Sequence, residues 1–368
     1  MYNDYSEKLA NLIVQYAVHV EPDSTVMIQA PINAKELVRE IYREVIQAGG
    51  HVVHTSFSFN GQQEIFYRYA SEEQLKYLDP IHLEQIKRIQ KLITIISDYN
   101  TRALTNIPPE KKALNAESKM EIQNIFLERI SKKELDWNGA PYPCDAFALE
   151  ANMGRLEYLE FVYTALHLQD DPIGYWKAVE VDQEKIIEIL DKGSEFRIVG
   201  EDTDLVLGID GRKWVNCCGH LNLPDGEVFT GPHEDGVDGT IRFTYPGIFQ
   251  GTEIEDIKLR FKEGKVIEHD AAKGKELLAK LLTTTNADIL GELAVGTNYG
   301  IQRFTKNMLF DEKMGGTVHL ALGGGIPETG SKNQSAIHWD ILKDMKDPEA
   351  QIFLDGELIY REGQWLIQ

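Results

Sequence analysis

Apolar positions recur at helical spacing over residues 5–18, where Leu9, Leu12, Ile13 and Tyr16 fall on one stripe. Asp23 and Ser24 then introduce a strand over 25–29. Residues 34–48 (AKELVREIYREVIQA) predict an amphipathic helix, stopped by Gly49-Gly50. Residues 51–57 alternate as a strand does, and strand–helix–strand in this order is the pattern of a parallel sheet with crossover helices. The pattern continues with helices over 71–77 and 80–89, a strand over 91–97, a long helix over 113–129, and helices over 157–168 and 182–190. From Phe196 the character changes. Short strands alternate with turns at Asp210-Gly211, Pro224-Asp225-Gly226, Asp235-Gly236 and Asp238-Gly239, the punctuation of a strand-rich domain. Near the end, Ile352-Phe353-Leu354, Asp355-Gly356 and Leu358-Ile359-Tyr360 read as a hairpin. The expected fold is therefore α/β in two domains, an α/β N-terminal domain over 1–195 and a strand-rich α+β C-terminal domain over 196–368.

Composition narrows the function classes. The chain has 368 residues, 42% hydrophobic and 26% charged, enough to bury a sizeable core. Its formal net charge is −21, from 38 Lys+Arg against 59 Asp+Glu. Such a surface repels polyanions, so neither nucleic acid nor an anionic membrane is an expected partner. Cys144, Cys217 and Cys218 are too few and too odd in number for a disulfide framework, and the adjacent pair reads as reduced thiols on a strand. The first ten residues lack the apolar core of a signal peptide, and nowhere do about 18 apolar residues run together. The expected compartment is the cytoplasm. The N-terminal half has no glycine-rich phosphate loop; Gly323-Gly324-Gly325 lies far downstream, and no nucleotide site is expected.

The chemistry concentrates in four C-terminal segments that set ionisable groups among apolar ones. Glu227 follows a Pro-Asp-Gly turn and precedes Val228-Phe229. Glu292 stands alone in ILGELAVG, and His319 alone in GTVHLAL. In AIHWDIL a period of two puts His338 and Asp340 on one strand face, with Ile337, Trp339 and Ile341 on the other. Taken singly, each has a plain structural reading: a hydrogen-bonded core histidine, a buried ion pair, a His–carboxylate bond, a solvated turn residue. Taken together they would require four separate polar burials in one domain, each costly unless paired or metal-bound. Carboxylates and imidazoles without cysteine suit Zn, Co, Mn or Fe(II), and this many carboxylates can neutralise two divalent ions.

At these residues the chain resembles the thermophilic-type metalloaminopeptidase family of aminopeptidase T, aminopeptidase S and PepS. The resemblance runs through Pro141-Tyr142-Pro143 with Ala146 and Ala148, Glu157-Tyr158 with Phe161-Val162-Tyr163, and Asp171-Pro172 with Tyr175-Trp176. It continues through Asp225-Gly226-Glu227-Val228-Phe229-Thr230, Gly291-Glu292-Leu293 and Gly296-Thr297-Asn298. It ends with Leu309-Phe310-Asp311-Glu312, His319-Leu320-Ala321, and Asn333, Ser335 and His338-Trp339-Asp340. The resemblance implies a two-metal exopeptidase that removes N-terminal amino acids from peptides, works as a homodimer and carries its metals in the C-terminal domain. By matching position, Glu227, Glu292, His319, His338 and Asp340 would be ligands to two divalent ions (Zn, Co or Mn). Glu312 would be a further ligand or the general base, sharing the catalysis with Glu227. The chain departs from the family at Ile326, seven residues after His319, where active members carry a tyrosine able to donate to an oxyanion. Tyr299 is the candidate to replace it. A neighbouring branch of the fold suggests an alternative, a ring-cleaving dioxygenase of dihydroxypyridine type with one Fe(II). His338, Asp340 and one more histidine would serve it.

Overall fold

The computed structural model describes residues 2–249 and 251–367. The chain forms two compact units, residues 1–173 with 219–224, and residues 174–218 with 225–368.

The first unit holds the expected parallel sheet. Its strands are β1 (Thr25–Pro31), β2 (His51–Ser58), β3 (Lys91–Ile96) and β4 (Asp136–Pro141), in the order β2-β1-β3-β4, all parallel. The helix Lys35–Gln47 crosses between β1 and β2 and buries Leu37, Val38, Ile41 and Val45, the face that its 3.6-residue period selects. The single helix expected over 113–129 is two, Pro109–Ser118 and Met120–Ser131, parted at Lys119. Strand β4 had no expectation behind it. Its sequence, DWNGAP, carries Gly and Pro, both poor strand formers, and tertiary pairing with β3 overrides them.

The second unit is strand-rich, as expected. A wholly antiparallel eight-stranded sheet is built from β5 (Glu195–Gly200), β6 (Thr203–Gly208), β9 (Val237–Arg242), β12 (Lys258–Lys262), β13 (Lys265–Asp270), β17 (Gln351–Leu354), β18 (Glu357–Arg361) and β19 (Gln364–Trp365). The predicted hairpin is β17–β18, turning at Asp355-Gly356. A two-stranded ribbon joins β10 (Gly247–Phe249) to β11 (Thr252–Ile254). The third sheet carries most of the candidate site residues. It runs β16-β15-β14-β8-β7, all antiparallel, from β7 (Val215–Cys217), β8 (Glu227–Thr230), β14 (Leu290–Gly296), β15 (Thr317–Gly323) and β16 (His338–Asp344). Side chains of both large sheets share one hydrophobic core, including Phe196, Ile198, Leu205, Val228, Leu293, Val295, Leu320 and Ile341. The helix Pro172–Leu190, of which the sequence suggested only the second half, sends Ile186 and Leu190 into that core. Residues 174–195, expected with the N-terminal domain, therefore belong with the second unit.

Candidate metal centre

Each strand of the third sheet has two faces. On one, Val228, Leu293, Val295, Val318, Leu320, Leu322, Trp339 and Ile341 enter the core. On the other, the cross-strand register sets Asp340 opposite Ala321, Ala321 opposite Glu292, His319 opposite Ala294, and Glu227 opposite Gly296. Small residues thus separate the polar ones, leaving room between them. A β-bulge between Leu290 and Glu292 re-aims the glutamate. It needs glycine at 291, where a Cβ would lie 2.4 Å from the carbonyl oxygen of Gly324.

The polar face carries one continuous row. His338 Nε2 lies 3.4 Å from Asp340 Oδ1 and 3.5 Å from Glu292 Oε2. His319 Nε2 lies 3.2 Å from Glu292 Oε1 and 3.5 Å from Glu227 Oε2. Glu227 Oε1 accepts from Lys313 Nζ at 3.0 Å, and the same ammonium donates to Glu312 Oε1. All six residues singled out in the sequence, Glu227, Glu292, Glu312, His319, His338 and Asp340, therefore stand in this row. Glu227, expected to be solvated if it were only a turn residue, is 6% exposed; Glu292 is 5% and His319 1% exposed. His338 and Asp340 share a strand face as their spacing predicted.

Lys313 is the member that sequence reasoning missed. It is 1% exposed, and nothing in DEKMGG announces a buried ammonium. Its backbone is fixed on both sides: its N–H donates to Phe310 O at 3.1 Å, and its carbonyl accepts from Asn298 N at 3.0 Å. Asn298 also donates through Nδ2 to Asp225 O at 2.9 Å, which sets the Asp225–Glu227 segment against the lysine. Gln183, likewise unforeseen, donates from a buried Nε2 to the carbonyls of Cys217 and Glu227.

Burial by itself lowers the pKa of both imidazoles, yet their carboxylate neighbours prevail. The bond with Glu292 and the charges of Glu227 and Asp340 push His319 up to about 9. Asp340 and Glu292 push His338 up to about 10. Burial and the charge of Glu227 raise Glu312, against the pull of Lys313. Lys313 itself is held well above its ordinary range, because Glu227 and Glu312 outweigh its desolvation. The row thus sets four carboxylates among three groups that carry positive charge at neutral pH, Lys313 and the two imidazoles.

The donor set fits divalent metal. Glu227 Oε2 and Asp340 Oδ1 are buried acceptors with no hydrogen bond, a costly state that a cation relieves. Glu292, His338 and Asp340 offer ligand atoms within 4.8 Å of one another. His338 Nδ1 sits 2.7 Å from Gly324 O, a backbone bond that turns Nε2 toward the carboxylates. Cys217, Asp225 and Glu227 also converge within 4.8 Å. The Cys217 thiol is held well above its ordinary range, by burial first and then by the Asp225 and Glu227 charges. All three cysteines are free.

Two residues bear on the oxyanion donor. Ile326 precedes the short turn Pro327–Thr329, half-buried, its carbonyl accepting from Thr329. The hydroxyl of Tyr299, the candidate to take the tyrosine's part, donates to Gly363 O at 2.9 Å.

Comparison with known proteins gives the family. The family model for thermophilic metalloproteases (M29) matches residues 3–365. Aminopeptidase T of Thermus thermophilus is 28% identical and aminopeptidase 2 of Geobacillus stearothermophilus 26% identical, each over 98% of both chains. Aminopeptidase AmpS of Bacillus subtilis is 26% identical over 99% of both. The solved structure of wild-type AmpT from Thermus thermophilus covers 100% of both chains at 25% identity, with a TM-score of 0.85. Among the described residues no helix is long and apolar enough to cross a membrane.

Proposed function

From membership of the thermophilic metalloprotease family M29, to which the chain belongs, we propose that this protein is an aminopeptidase that binds two divalent ions in the row Glu227–His319–Glu292–His338–Asp340. The observation that carries the proposal is the row itself, with its two buried carboxylate oxygens lacking any hydrogen bond. Glu292 is its centre, because its two oxygens face different histidines. Glu292, His338 and Asp340 would hold one ion; Glu227, His319 and the other oxygen of Glu292 would hold the second. Zn, Co and Mn suit such ligands. Bound there, a pair of divalent ions polarises a peptide carbonyl and makes a nearby water more acidic.

The chain's own groups do the rest. Glu312 is tied through Oε1 to Lys313, which leaves Oε2 to take the proton of the attacking water and return it to the leaving amine. Its raised pKa suits a group that must hold that proton in transit. Glu227, on the other side of the same ammonium, orients the water. The substrate is a peptide with a free N-terminal amine, anchored by a metal or by a spare carboxylate such as Glu312. The homodimer and the cytoplasmic location implied by the family resemblance are part of this proposal, and light scattering and cell fractionation test them. The mononuclear iron alternative gains no support, since the matching family and the similar proteins are peptidases.

The test is metal content beside hydrolysis. The purified protein binds close to two Zn, Co or Mn per chain and cleaves Leu- or Arg-arylamides but not their N-acetylated forms. Exhaustive chelation abolishes cleavage and added metal restores it. Undiminished hydrolysis after demonstrated metal removal, or equal cleavage of blocked substrates, refutes the proposal.

A further inference from the structure

We infer that Lys313 is a positioning residue that guards the Glu227 end of the row, so that the two ions load in order: tightly at Glu292–His338–Asp340, then more weakly at Glu227–His319. The inference rests on the two-ion reading above.

The two ends of the row differ in what balances their charge. At the Glu227 end a lysine is seated between two carboxylates, holding one oxygen of each. It is almost fully buried, and its backbone is pinned through both its N–H and its carbonyl. A buried ammonium persists only beside anions, and removing it would leave Glu227 and Glu312 uncompensated. The lysine therefore cannot simply withdraw when an ion arrives. At the Asp340 end the balancing groups are imidazoles, and the His338 side chain is 37% exposed. That end is open to solvent; the other is walled by Glu227, His319 and Lys313, all buried.

Lys313 has two consequences for Glu227. It fixes Oε1, so that only Oε2, which has no hydrogen bond, faces His319. Glu227 is thereby set to bind through one oxygen. The ammonium also places a lasting positive charge beside the second ion, in a poorly screened interior where like charges repel strongly. The lysine's ion pairs are with Glu227 and Glu312, and its charge stands last among the influences on Asp340, so an ion among Glu292, His338 and Asp340 feels less of that repulsion.

The experiment titrates metal-free, full-length protein with Zn(II) by calorimetry, as wild type, Lys313→Met, Lys313→Arg and Asp340→Asn. The wild type should show two steps separated by roughly tenfold or more in Kd. Asp340→Asn should lose the tight step. Lys313→Met should tighten the weak step by roughly tenfold and so close the gap. Lys313→Arg, which keeps the charge, should keep the gap, a result that a merely space-filling lysine would not produce. Should metal-free Lys313→Met fail to stay folded, the same comparison is made by loading it with Zn(II) and timing release to a chelating dye. The wild type then releases one ion fast and one slowly, and the variant releases both slowly. A gap unchanged in Lys313→Met, or a weakened second step, overturns the inference while leaving the two-ion reading intact. Two equal steps in the wild type do the same. A wild type that binds no zinc, cobalt or manganese overturns the two-ion reading and this inference with it.

Discussion

His338 and Asp340 show how much one strand's period can reveal. Two residues apart on β16, they had to share a face, and their contact at 3.4 Å follows. A structural pair and a metal pair are told apart by substitution. In Asp340→Asn the metal-free protein should stay folded but melt somewhat lower than wild type, because the amide no longer balances the His338 charge that the carboxylate favours. The rise in melting temperature on adding zinc should shrink, since metal stabilises only through the affinity lost. Equal zinc-induced shifts in the two proteins would make the pair structural. Ile326 poses a question that only chemistry answers. If a tyrosine at this position donates to the oxyanion, its absence forfeits up to about 100- to 1000-fold in turnover. Ile326→Tyr should then raise kcat on arylamides without changing metal content, Tyr299 being engaged with Gly363. A slower or unaltered enzyme would mark the position as pocket wall. Lys313 was beyond sequence reasoning for a physical reason: its neighbours in the chain are not its partners, and Glu227 lies 86 positions away.

At the scale of the element, β14 and β15 are buried on both faces, so no alternation of polar and apolar residues marked them as two-faced. What remained legible was a single ionisable residue in each apolar run, Glu292 in one and His319 in the other. Position in the sheet does the rest: one face packs the core and the other carries the ionisable row. The faces should therefore fail separately. Leu320→Ala, which empties a fully buried core position, should cost about 2–5 kcal/mol of unfolding free energy while the folded protein keeps its metal. His319→Ala should cost metal and activity out of proportion to its effect on the metal-free melt. If Leu320→Ala releases metal at temperatures where it is still folded, the faces are coupled and the division is wrong. Gly291→Ala probes the bulge between them. Its Cβ meets the Gly324 carbonyl at 2.4 Å, so Glu292 must shift, and overpacking of this kind costs about 1–3 kcal/mol. Loss of metal should accompany the loss of stability. The elements hardest to read were those in which tertiary contacts outvote local preference. β4 carries Gly and Pro in a paired strand, and the helix Pro172–Leu190 opens on PIGYW, which suggests no helical face.

For the whole molecule the dominant quantity is charge. A net charge of −21 gives the molecule a negative field. Such a field draws cationic ligands in and slows acidic ones, acting on encounter rather than on the chemical step. This bears on substrate preference, which the row alone does not set. An Arg- or Lys-rich peptide approaches down the potential gradient, and a Glu- or Asp-rich peptide climbs it. Salt dissects the effect, because the screening length falls from about 30 Å at 0.01 M to about 3 Å at 1 M. Across that range kcat/KM for a basic peptide should fall and that for an acidic peptide should rise, while a neutral leucyl peptide changes little. The kcat values should stay level, since the bound complex is already past the field. Three parallel salt profiles would place the preference in direct contacts with the side chain, and a kcat that moves with salt would show that ions reach the row itself.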